Sequence, residues 1–313
     1  MLLYTDPRFL DHDTGRHPEN PNRLRSITAR LEKAALIQEC TRRSFEPLAV
    51  EKVYELHDPQ VAARAKHVAE SGGGFLDADT IVCPQSYDVA LLAAGACVAA
   101  VDDVLRGVGS RALSLVRPPG HHATPERSMG FCLFNNIALA ARHAKIAHGV
   151  ERVLIVDWDV HHGNGTQDIY YDSADVMFLS IHRYGHGFYP GTGAADETGT
   201  GPGLGLTINV PLSFGTPRRD YLQAFKNAAE SAVRRLKPEL VLLSAGFDAH
   251  TRDPIGSLGL ETEDFTDMTR LVIDMAKAHA QGRLVSCLEG GYNLEALAES
   301  VQTHVEELLH YGL

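Results

Sequence analysis

Two acidic residues and a histidine at the ends of apolar segments have the spacing of metal ligands. Asp159 and His161 lie just after the apolar segment Val153–Val156, and Asp248 lies just after Leu240–Ser244. Residues i and i+2 of an extended chain point to the same side, so Asp159 and His161 can face one ion. Two carboxylates, one imidazole and a position left for water match a catalytic zinc site, although such an oxygen-rich set also suits ferrous iron. The alternative is that Asp157, Asp159 and His161 only cap the helix that follows.

A pair of adjacent histidines could carry protons in the same site. His121 and His122 follow Pro-Pro-Gly, a stiff turn that would present both rings after the apolar segment Ala112–Val116. Imidazole transfers protons near neutral pH without a large perturbation of its pKa. Asp157 and Asn164 are the candidate orienting partners, one for each histidine. The alternative is that one of the two histidines is only a hydrogen-bonded core residue.

A tyrosine after two glycines completes the set of candidate groups. Tyr292 follows Glu-Gly-Gly at the end of the apolar segment Leu284–Leu288. The glycines permit a close backbone approach, and the hydroxyl could then hydrogen-bond to a developing oxyanion, although Gly-Gly-Tyr alone is a weak indication. Taken together, the groups predict a hydrolase in which a metal polarises a carbonyl, a histidine accepts the proton of water and the tyrosine stabilises the oxyanion. There is no P-loop, so phosphoryl transfer from ATP is not expected.

The elements that must position these groups alternate between buried strands and helices. A short strand is predicted at Leu2–Tyr4, and further strands are predicted at Ala112–Val116, Val153–Val156, Val176–Ile181, Leu206–Val210, Leu240–Ser244 and Leu284–Leu288. Helices are predicted at Asn22–Leu36, Tyr87–Leu105, Asn135–Ala147, Asp220–Leu236, Thr262–His279 and Leu294–Leu309. Strands that are apolar on both sides favour a mostly parallel sheet with helices on both faces, and ligands bind at the carboxyl ends of such strands. We therefore expect a single α/β domain over residues 1–313, with an open sheet and an active site at the C-terminal ends of its strands.

Composition narrows the class of protein. The 313 residues include 29 Lys and Arg against 40 Asp and Glu, a net charge of −11, so binding to nucleic acid is not expected. No apolar stretch is long enough to cross a membrane, and the N-terminus does not have the pattern of a signal peptide. Five cysteines without a CxxC pair argue against a cysteine metal site and favour a reducing compartment, so we expect a cytoplasmic protein.

Seven stretches of the sequence, in the same order, resemble the zinc-dependent histone deacetylases of the arginase–deacetylase superfamily. The stretches are His17-Pro-Glu-Asn-Pro-Asn-Arg-Leu24, Arg117-Pro-Pro-Gly-His-His122, Gly130-Phe-Cys-Leu-Phe-Asn-Asn136, Asp157-Trp-Asp-Val-His-His-Gly-Asn-Gly-Thr166, Pro190-Gly-Thr-Gly193, Gly246-Phe-Asp-Ala-His250 and Leu288-Glu-Gly-Gly-Tyr292. They span nearly the whole chain. Asn164, together with Glu-Gly-Gly-Tyr, looks like the class II branch and its bacterial histone deacetylase-like amidohydrolases.

The resemblance implies a role for each candidate residue. Asp159, His161 and Asp248 would be the zinc ligands. His121 and His122 would be the tandem base and acid, with Asp157 orienting His121 and Asn164 contacting His122. Tyr292 would stabilise the oxyanion. Since Asn164 is neutral, His122 should be less favoured as an imidazolium.

The resemblance also implies a substrate tunnel and a structural potassium ion. Phe131 and Tyr189 would wall a narrow tunnel for the stem of an acyl-lysine, Gly130 would let the stem pass the backbone, and Arg23 would lie beside an internal acetate pocket. Potassium would be bound by Asp157, Ser180 and the carbonyl groups of Asp159, His161 and Ile181, and more weakly around Tyr170, Ser173 and Val176. The family usually has Phe where this chain has Tyr189, which leaves the acyl-chain preference open.

Alternative functions remain open at this stage. The leading prediction is hydrolysis of an N-acyl amine, with an acylated lysine in a protein or peptide, or an acetylated polyamine, as substrate. Acidic residues at the mouth of the site would favour a polyamine, and the candidates are Glu19, Glu70, Asp77 and Asp79. A dinuclear manganese ureohydrolase would need additional Asp ligands, and a catalytically inactive acyl-lysine binding module would lack at least one candidate residue. The sequence does not indicate the oligomeric state.

Overall fold

The strands form one open sheet in which every adjacent pair is parallel. The structure is a computed structural model that describes residues 1–185 and 187–312. The eight strands of the sheet are β1 (Leu2–Tyr4), β2 (Thr41–Arg42), β5 (Arg111–Ser114), β6 (Val153–Asp157), β7 (Val176–Arg183), β8 (Thr207–Leu212), β9 (Leu240–Ala245) and β10 (Leu284–Leu288). Their order across the sheet is β2-β1-β5-β10-β9-β6-β7-β8. A separate antiparallel hairpin consists of β3 (Gly74–Phe75) and β4 (Ile81–Val82).

The central strands are buried on both sides, which explains why their sequences are continuously apolar. Every residue of β5, β6, β9 and β10 is buried. A parallel sheet is joined by crossover helices that cover its faces, so both sides of each strand need apolar residues. The expected open parallel α/β sheet is therefore confirmed.

Ten α-helices occur in the described part of the chain. They are α1 (Asn22–Lys33), α2 (Leu36–Glu39), α3 (Val50–Val53), α4 (Pro59–Glu70), α5 (Ser86–Leu105), α6 (Asn136–His148), α7 (Asn164–Tyr170), α8 (Arg218–Leu236), α9 (Thr262–His279) and α10 (Leu294–His310). Helices α5 and α6 pack on each other. Helix α5 also packs on β1, β5 and β10, α6 packs on β6 and β9, and α8 packs on β6, β7 and β8. None of the helices within residues 1–185 and 187–312 is long and apolar enough to cross a membrane.

The six predicted helices are present, five of them with shifted ends and Thr262–His279 with the predicted bounds, and helix α4 was not predicted. The predicted helix Asn22–Leu36 ends at Lys33, because Ala35 has a left-handed φ of 59° and starts the short helix α2. Helix α4 has a recognisable start, since Asp58 caps it by accepting a hydrogen bond from Gln60 N and Pro59 occupies its first turn. This Asp-Pro signal was available in the sequence.

A buried ion cluster ties together the loops beside the C-terminal ends of β1, β5 and β10. Glu19, Arg23 and Arg117 are each at most 1% exposed. Arg117 Nη2 donates to Glu19 Oε2 at 2.7 Å, and Arg23 Nη1 donates to Glu19 Oε1 at 3.0 Å. Arg23 Nε also donates to the carbonyl of Gly291 at 2.7 Å. One carboxylate therefore balances two guanidinium groups, and one of these supports the backbone just before Tyr292.

Removing the charge of Glu19 should destabilise the fold strongly. We predict that Glu19→Gln lowers the free energy of unfolding by about 3–5 kcal/mol, because two buried guanidinium groups lose their only shared carboxylate. Urea denaturation followed by circular dichroism measures this value. The control is Glu70→Gln, an exposed residue paired only with exposed Lys66, which should change stability by less than about 0.5 kcal/mol. Equal small effects in both variants would contradict a structural role for Glu19.

Candidate active site

The topology brings the candidate residues to one edge of the sheet. Strands β5, β10, β9 and β6 are consecutive neighbours, and their C-terminal ends therefore lie side by side. The segments that follow these four strands carry the histidine pair, Tyr292, Asp248 and Asp159 with His161 respectively. Helix α7 begins only at Asn164 and is preceded by Gly163 as its N-cap residue. Asp157, Asp159 and His161 consequently do not cap that helix.

Asp159, His161 and Asp248 converge on one point with the geometry of a ligand set. One ligand atom from each lies within 4.8 Å of the others, and all three residues are buried. His161 Nδ1 lies 3.1 Å from Asp159 Oδ1 and 3.2 Å from Asp248 Oδ2. Two carboxylate oxygens and one imidazole nitrogen suit zinc, and an open fourth side is typical of a catalytic zinc site. The residues present therefore fit such an ion.

Backbone donors hold the two carboxylates in this orientation. Asp159 Oδ2 accepts a hydrogen bond from Gly290 N at 2.8 Å, and Asp248 Oδ1 accepts one from Val160 N at 2.8 Å. The inward oxygen of Asp159, Oδ1, also accepts a hydrogen bond from His161 N at 2.9 Å, whereas Asp248 Oδ2 contacts only the His161 ring among these groups. Outer contacts of this kind orient the ligands of metal sites.

The electrostatics of the three ligands favour a cation between them. Burial would lower the pKa of His161, but hydrogen bonds to Asp159 and Asp248 raise it to about 9. Burial raises the pKa of Asp248 to about 7, and the nearby Asp159 adds to that rise. In the absence of an ion, protons therefore supply part of the missing positive charge. A divalent cation would displace these protons.

The two adjacent histidines have one orienting partner each, as expected. His121 Nδ1 lies 2.9 Å from Asp157 Oδ2, and His122 Nδ1 lies 2.7 Å from Asn164 Oδ1. The two ring centroids are 4.0 Å apart. Both rings are nearly fully buried, and His121 Nε2 lies 3.9 Å from Asp159 Oδ1. Each ring therefore has one hydrogen-bond partner, and of the two histidines only His122 is among the residues that line the cavity described below.

The surroundings push the pKa values of the two histidines in opposite directions. Burial would lower the pKa of His121, but Asp157 and Asp159 outweigh it and raise the pKa well above its usual value. Burial lowers the pKa of His122 well below its usual value, and the neighbouring His121 and His161 lower it further. The lowered pKa of His122 has the direction that the sequence predicts. Its main causes, however, are burial and the imidazoles of His121 and His161 rather than the neutral Asn164. Two adjacent imidazoles whose pKa values are shifted in opposite directions suit separate acid and base roles.

Two contacts fix the position of Tyr292. Its backbone N–H donates to Asp253 Oδ2 at 2.7 Å, and the guanidinium carbon of Arg23 lies 5.1 Å from its ring centroid. Desolvation raises the pKa of Tyr292 well above that of a free phenol, against the opposing effect of Arg23. The hydroxyl consequently stays protonated and remains a hydrogen-bond donor.

A narrow cavity leads to these groups. Its volume is about 100 Å³, and its lining consists of Asp79, His122, Gly130, Phe131, His161, Tyr189, Ile255 and Tyr292. Gly130 has a φ of +58°, and a Cβ there would lie only 2.8 Å from Tyr189 Oη and 2.5 Å from the ring of His122. The wall therefore requires glycine at this position. Phe131 and Tyr189, the predicted tunnel aromatics, both lie in the lining.

The remaining predicted site residues lie behind or beside this cavity. Arg23 is fully buried and is not among the residues that line it. Asp157 and Ser180 are register partners on β6 and β7, and Ile181 follows Ser180 on β7. Ser180 Oγ lies 2.9 Å from His182 Nδ1. The hydroxyl of Tyr189 is buried and has no hydrogen-bond partner among the described residues.

Sequence reasoning missed two buried carboxylates that position the catalytic candidates. Glu289 Oε2 accepts hydrogen bonds from Gly120 N at 2.7 Å and from His121 N at 3.2 Å, and so fixes the backbone of the histidine pair. Asp253 Oδ2 fixes the backbone of Tyr292 as described above. Glu289 directly follows a buried strand, which is the signal that could have identified it. Asp253 lies in a loop and has no comparable signal.

The comparisons with known proteins agree on the family. The profile described as the histone deacetylase domain matches residues 17–308. The histone deacetylase-like amidohydrolase of Pseudomonas aeruginosa is 43% identical over 277 residues, which cover 88% of this chain and 73% of that protein. The polyamine deacetylase HDAC10 of Homo sapiens is 41% identical over 97% of this chain, which spans only 46% of the human protein.

A solved structure confirms the fold. The crystal structure of the HDA15 HD domain superposes with a TM-score of 0.93 at 37% sequence identity, and the match covers 98% of this chain and 87% of that one. Family profile, relatives and structure all match over most of the chain. The chain therefore belongs to the histone deacetylase domain family and is an enzyme of the deacetylase class.

Proposed function

We propose that this enzyme is a zinc-dependent amidohydrolase that removes the acetyl group, or another acyl group, from the Nε atom of lysine or from a related amine. The observation that carries the proposal is the convergence of Asp159, His161 and Asp248, of which His161 lines a cavity together with His122 and Tyr292. A metal-ligand set, a proton carrier and a hydroxyl donor then face the same small volume. Amide hydrolysis requires these three functions together.

The mechanism assigns a separate task to each side chain. Asp159, His161 and Asp248 would hold the zinc ion, which when bound polarises the amide carbonyl and lowers the pKa of water. One imidazole of the His121–His122 pair accepts the proton of the attacking water, and an imidazolium of the pair returns a proton to the leaving amine. His122, which its surroundings keep neutral and which lines the cavity, is suited to the first task. Asp157 and Asn164 hold the two rings through their Nδ1 atoms.

Tyr292 supplies the oxyanion contact in this mechanism. Its protonated hydroxyl donates to the carbonyl oxygen as negative charge develops there, and this interaction is stronger in the transition state than in the bound substrate. Phe131 lies edge-on to Tyr292, with ring centroids 5.8 Å apart, and limits the positions of the phenol ring. The backbone contact to Asp253 fixes the loop from the other side.

Removing the hydroxyl of Tyr292 should abolish most catalysis without emptying the site. We predict that Tyr292→Phe lowers kcat by about 100- to 1,000-fold, because one preorganised oxyanion donor is lost. Zinc content and the affinity for a metal-chelating inhibitor should change little. Steady-state kinetics on a fluorogenic acetyl-lysine peptide measure the first effect, and inhibitor titration measures the second. Activity near that of the parent enzyme would rule out the oxyanion role.

Removing one carboxylate ligand should release the metal. We predict that Asp248→Ala loses the ion of the candidate active site, because the two remaining ligands cannot hold zinc with comparable affinity. Elemental analysis after dialysis measures the loss, and turnover should fall to background. Asp274→Ala, which alters a surface aspartate that accepts a hydrogen bond from Tyr311 Oη at 3.0 Å, is the control and should retain both metal and activity. An ion that remains bound near His161 in Asp248→Ala would overturn the ligand assignment.

The cavity supports an extended, largely apolar substrate stem, and we propose an acylated lysine as the leading substrate. The aromatic faces of Phe131 and Tyr189 and the side chain of Ile255 suit methylene groups. The competing candidate is an acetylated polyamine, which the relation to human polyamine deacetylase HDAC10 supports. Of the acidic residues suggested by sequence, Asp79 lines the cavity, whereas Glu19 is buried in the ion cluster with Arg23 and Arg117.

Asp79 provides a way to separate these substrates. Asp79 lines the cavity, and its buried Oδ1 lacks a hydrogen-bond partner among the described residues, so a substrate N–H group that enters the cavity could supply that partner. We predict that Asp79→Asn lowers kcat/KM about tenfold or more, through the loss of a charged acceptor. The loss should be larger for acetylspermidine than for acetyl-lysine peptide if the enzyme prefers polyamines. Rates on both substrates, and on longer acyl-lysines, measure the preference. An unchanged rate on every substrate would contradict a substrate contact.

Three further parts of the sequence prediction stay proposals. Potassium would bind at Asp157, Ser180 and the carbonyl groups of Asp159, His161 and Ile181, and the adjacency of Asp157 and Ser180 supports this site. Residues 1–313 would form one domain, since β1 pairs with β5, and β5 pairs with β10. The cytoplasmic location expected from the sequence also stays a proposal.

A further inference from the structure

A second cluster of metal-ligating side chains lies where helices α5 and α6 pack together. Asp102 lies near the end of α5, and His143 and His148 lie in the last turns of α6. One ligand atom from each of the three residues lies within 4.8 Å of the other two. The three side chains are 17–23% exposed, so the cluster is partly open to solvent. No step of the proposed mechanism uses these residues.

The atoms that converge are those that could bind one cation. His143 Nε2 lies 2.8 Å from Asp102 Oδ1, and His148 Nε2 lies 2.6 Å from the same oxygen. The two rings are nearly perpendicular, at 71°, with centroids 5.8 Å apart. Both nitrogens therefore point at one carboxylate oxygen from different directions. Ligands of a tetrahedral zinc ion lie about 3.3 Å apart, so each nitrogen would need to move away from Asp102 Oδ1 by less than about 1 Å.

The cluster lies at the opposite edge of the sheet from the candidate active site. Helix α6 ends at His148, and the chain then enters β6 at Val153, whereas Asp157 and the zinc ligands follow the other end of β6. Five strand residues span roughly 16 Å. An ion at the cluster would therefore be too distant to share ligands with an ion at Asp159, His161 and Asp248.

The second oxygen of Asp102 has its own partner. Arg106 Nη2 lies 3.4 Å from Asp102 Oδ2, one helical turn further along α5. This contact orients the carboxylate with Oδ1 toward the histidines, in the way that outer hydrogen bonds orient metal-ligating carboxylates. The guanidinium also repels a cation, and its exposure to solvent weakens that repulsion.

We propose that Asp102, His143 and His148 form a second, mononuclear site for a divalent transition metal, with zinc as the first candidate. Two imidazole nitrogens and one carboxylate oxygen suit zinc, nickel and copper, and the partial exposure leaves coordination positions for water. The bound ion would link α5 to the end of α6. The chain would then bind two divalent metal ions per molecule at separate sites, without the dinuclear centre of a ureohydrolase.

Zinc stoichiometry in matched variants tests this proposal. Metal-free protein is dialysed against buffered micromolar zinc and analysed for bound metal. We expect close to two zinc ions per chain in the parent protein, one in Asp248→Ala, one in His148→Gln and none in the double variant. His67→Gln, which alters an exposed histidine outside the cluster, is the control and should still bind two. Asp102→Asn should weaken the second site by at least about tenfold.

The outcomes separate this proposal from the proposed function. If the parent and His148→Gln bind the same amount of zinc, the second site is overturned, and the three side chains form only a hydrogen-bonded cluster. If Asp248→Ala still binds two ions, the assignment of the active-site ligand fails while the second site stands. Should Asp248→Ala not fold, the difference between the parent and His148→Gln alone decides. Thermal denaturation gives a second readout, since zinc should stabilise Asp248→Ala but not the double variant.

Discussion

Two buried carboxylates that face one point set the condition on which the rest of the site depends. Asp159 and Asp248 cannot both stay ionised at close range in a buried environment unless positive charge lies between them. The pKa values of His161 and Asp248 are both raised, which favours the forms of these two groups that carry a proton. A divalent cation would supply the positive charge between the two carboxylates more fully. Our proposed function rests on such an ion replacing the protons.

Hydrogen bonds and ion pairs around the strand ends hold these carboxylates and the neighbouring loops in place. Backbone N–H groups of Gly290 and Val160 fix the outer oxygens of the two carboxylates. Glu289 holds the backbone of the histidine pair, and Asp253 holds that of Tyr292. The ion cluster centred on Glu19 then braces the loop before Tyr292 through Arg23. Buried charge is costly, so each of these carboxylates is paired with donors or cations.

The sequence predicted the parts of the structure that depend on local pattern. Apolar runs predicted the central strands, and the polar residues after each run predicted the edge at which the site forms, because parallel strands bring their carboxyl ends together. The pairing of His121 with Asp157 and of His122 with Asn164 was also predicted. The roles of Glu19 and Asp253 were not, because they depend on contacts between segments far apart in sequence. The second cluster, at Asp102, depends in the same way on how α5 packs against α6.

The most direct test of the central claim is an anomalous-scattering experiment at the zinc absorption edge on crystals of the zinc-loaded protein. The account predicts a strong peak bonded to Asp159, His161 and Asp248, with the rings of His121 and His122 and the hydroxyl of Tyr292 facing it. A peak at Asp102, His143 and His148 would be additional and would not replace it. A map without density between Asp159 and Asp248, or with the histidine pair and Tyr292 turned away from that point, would contradict the account.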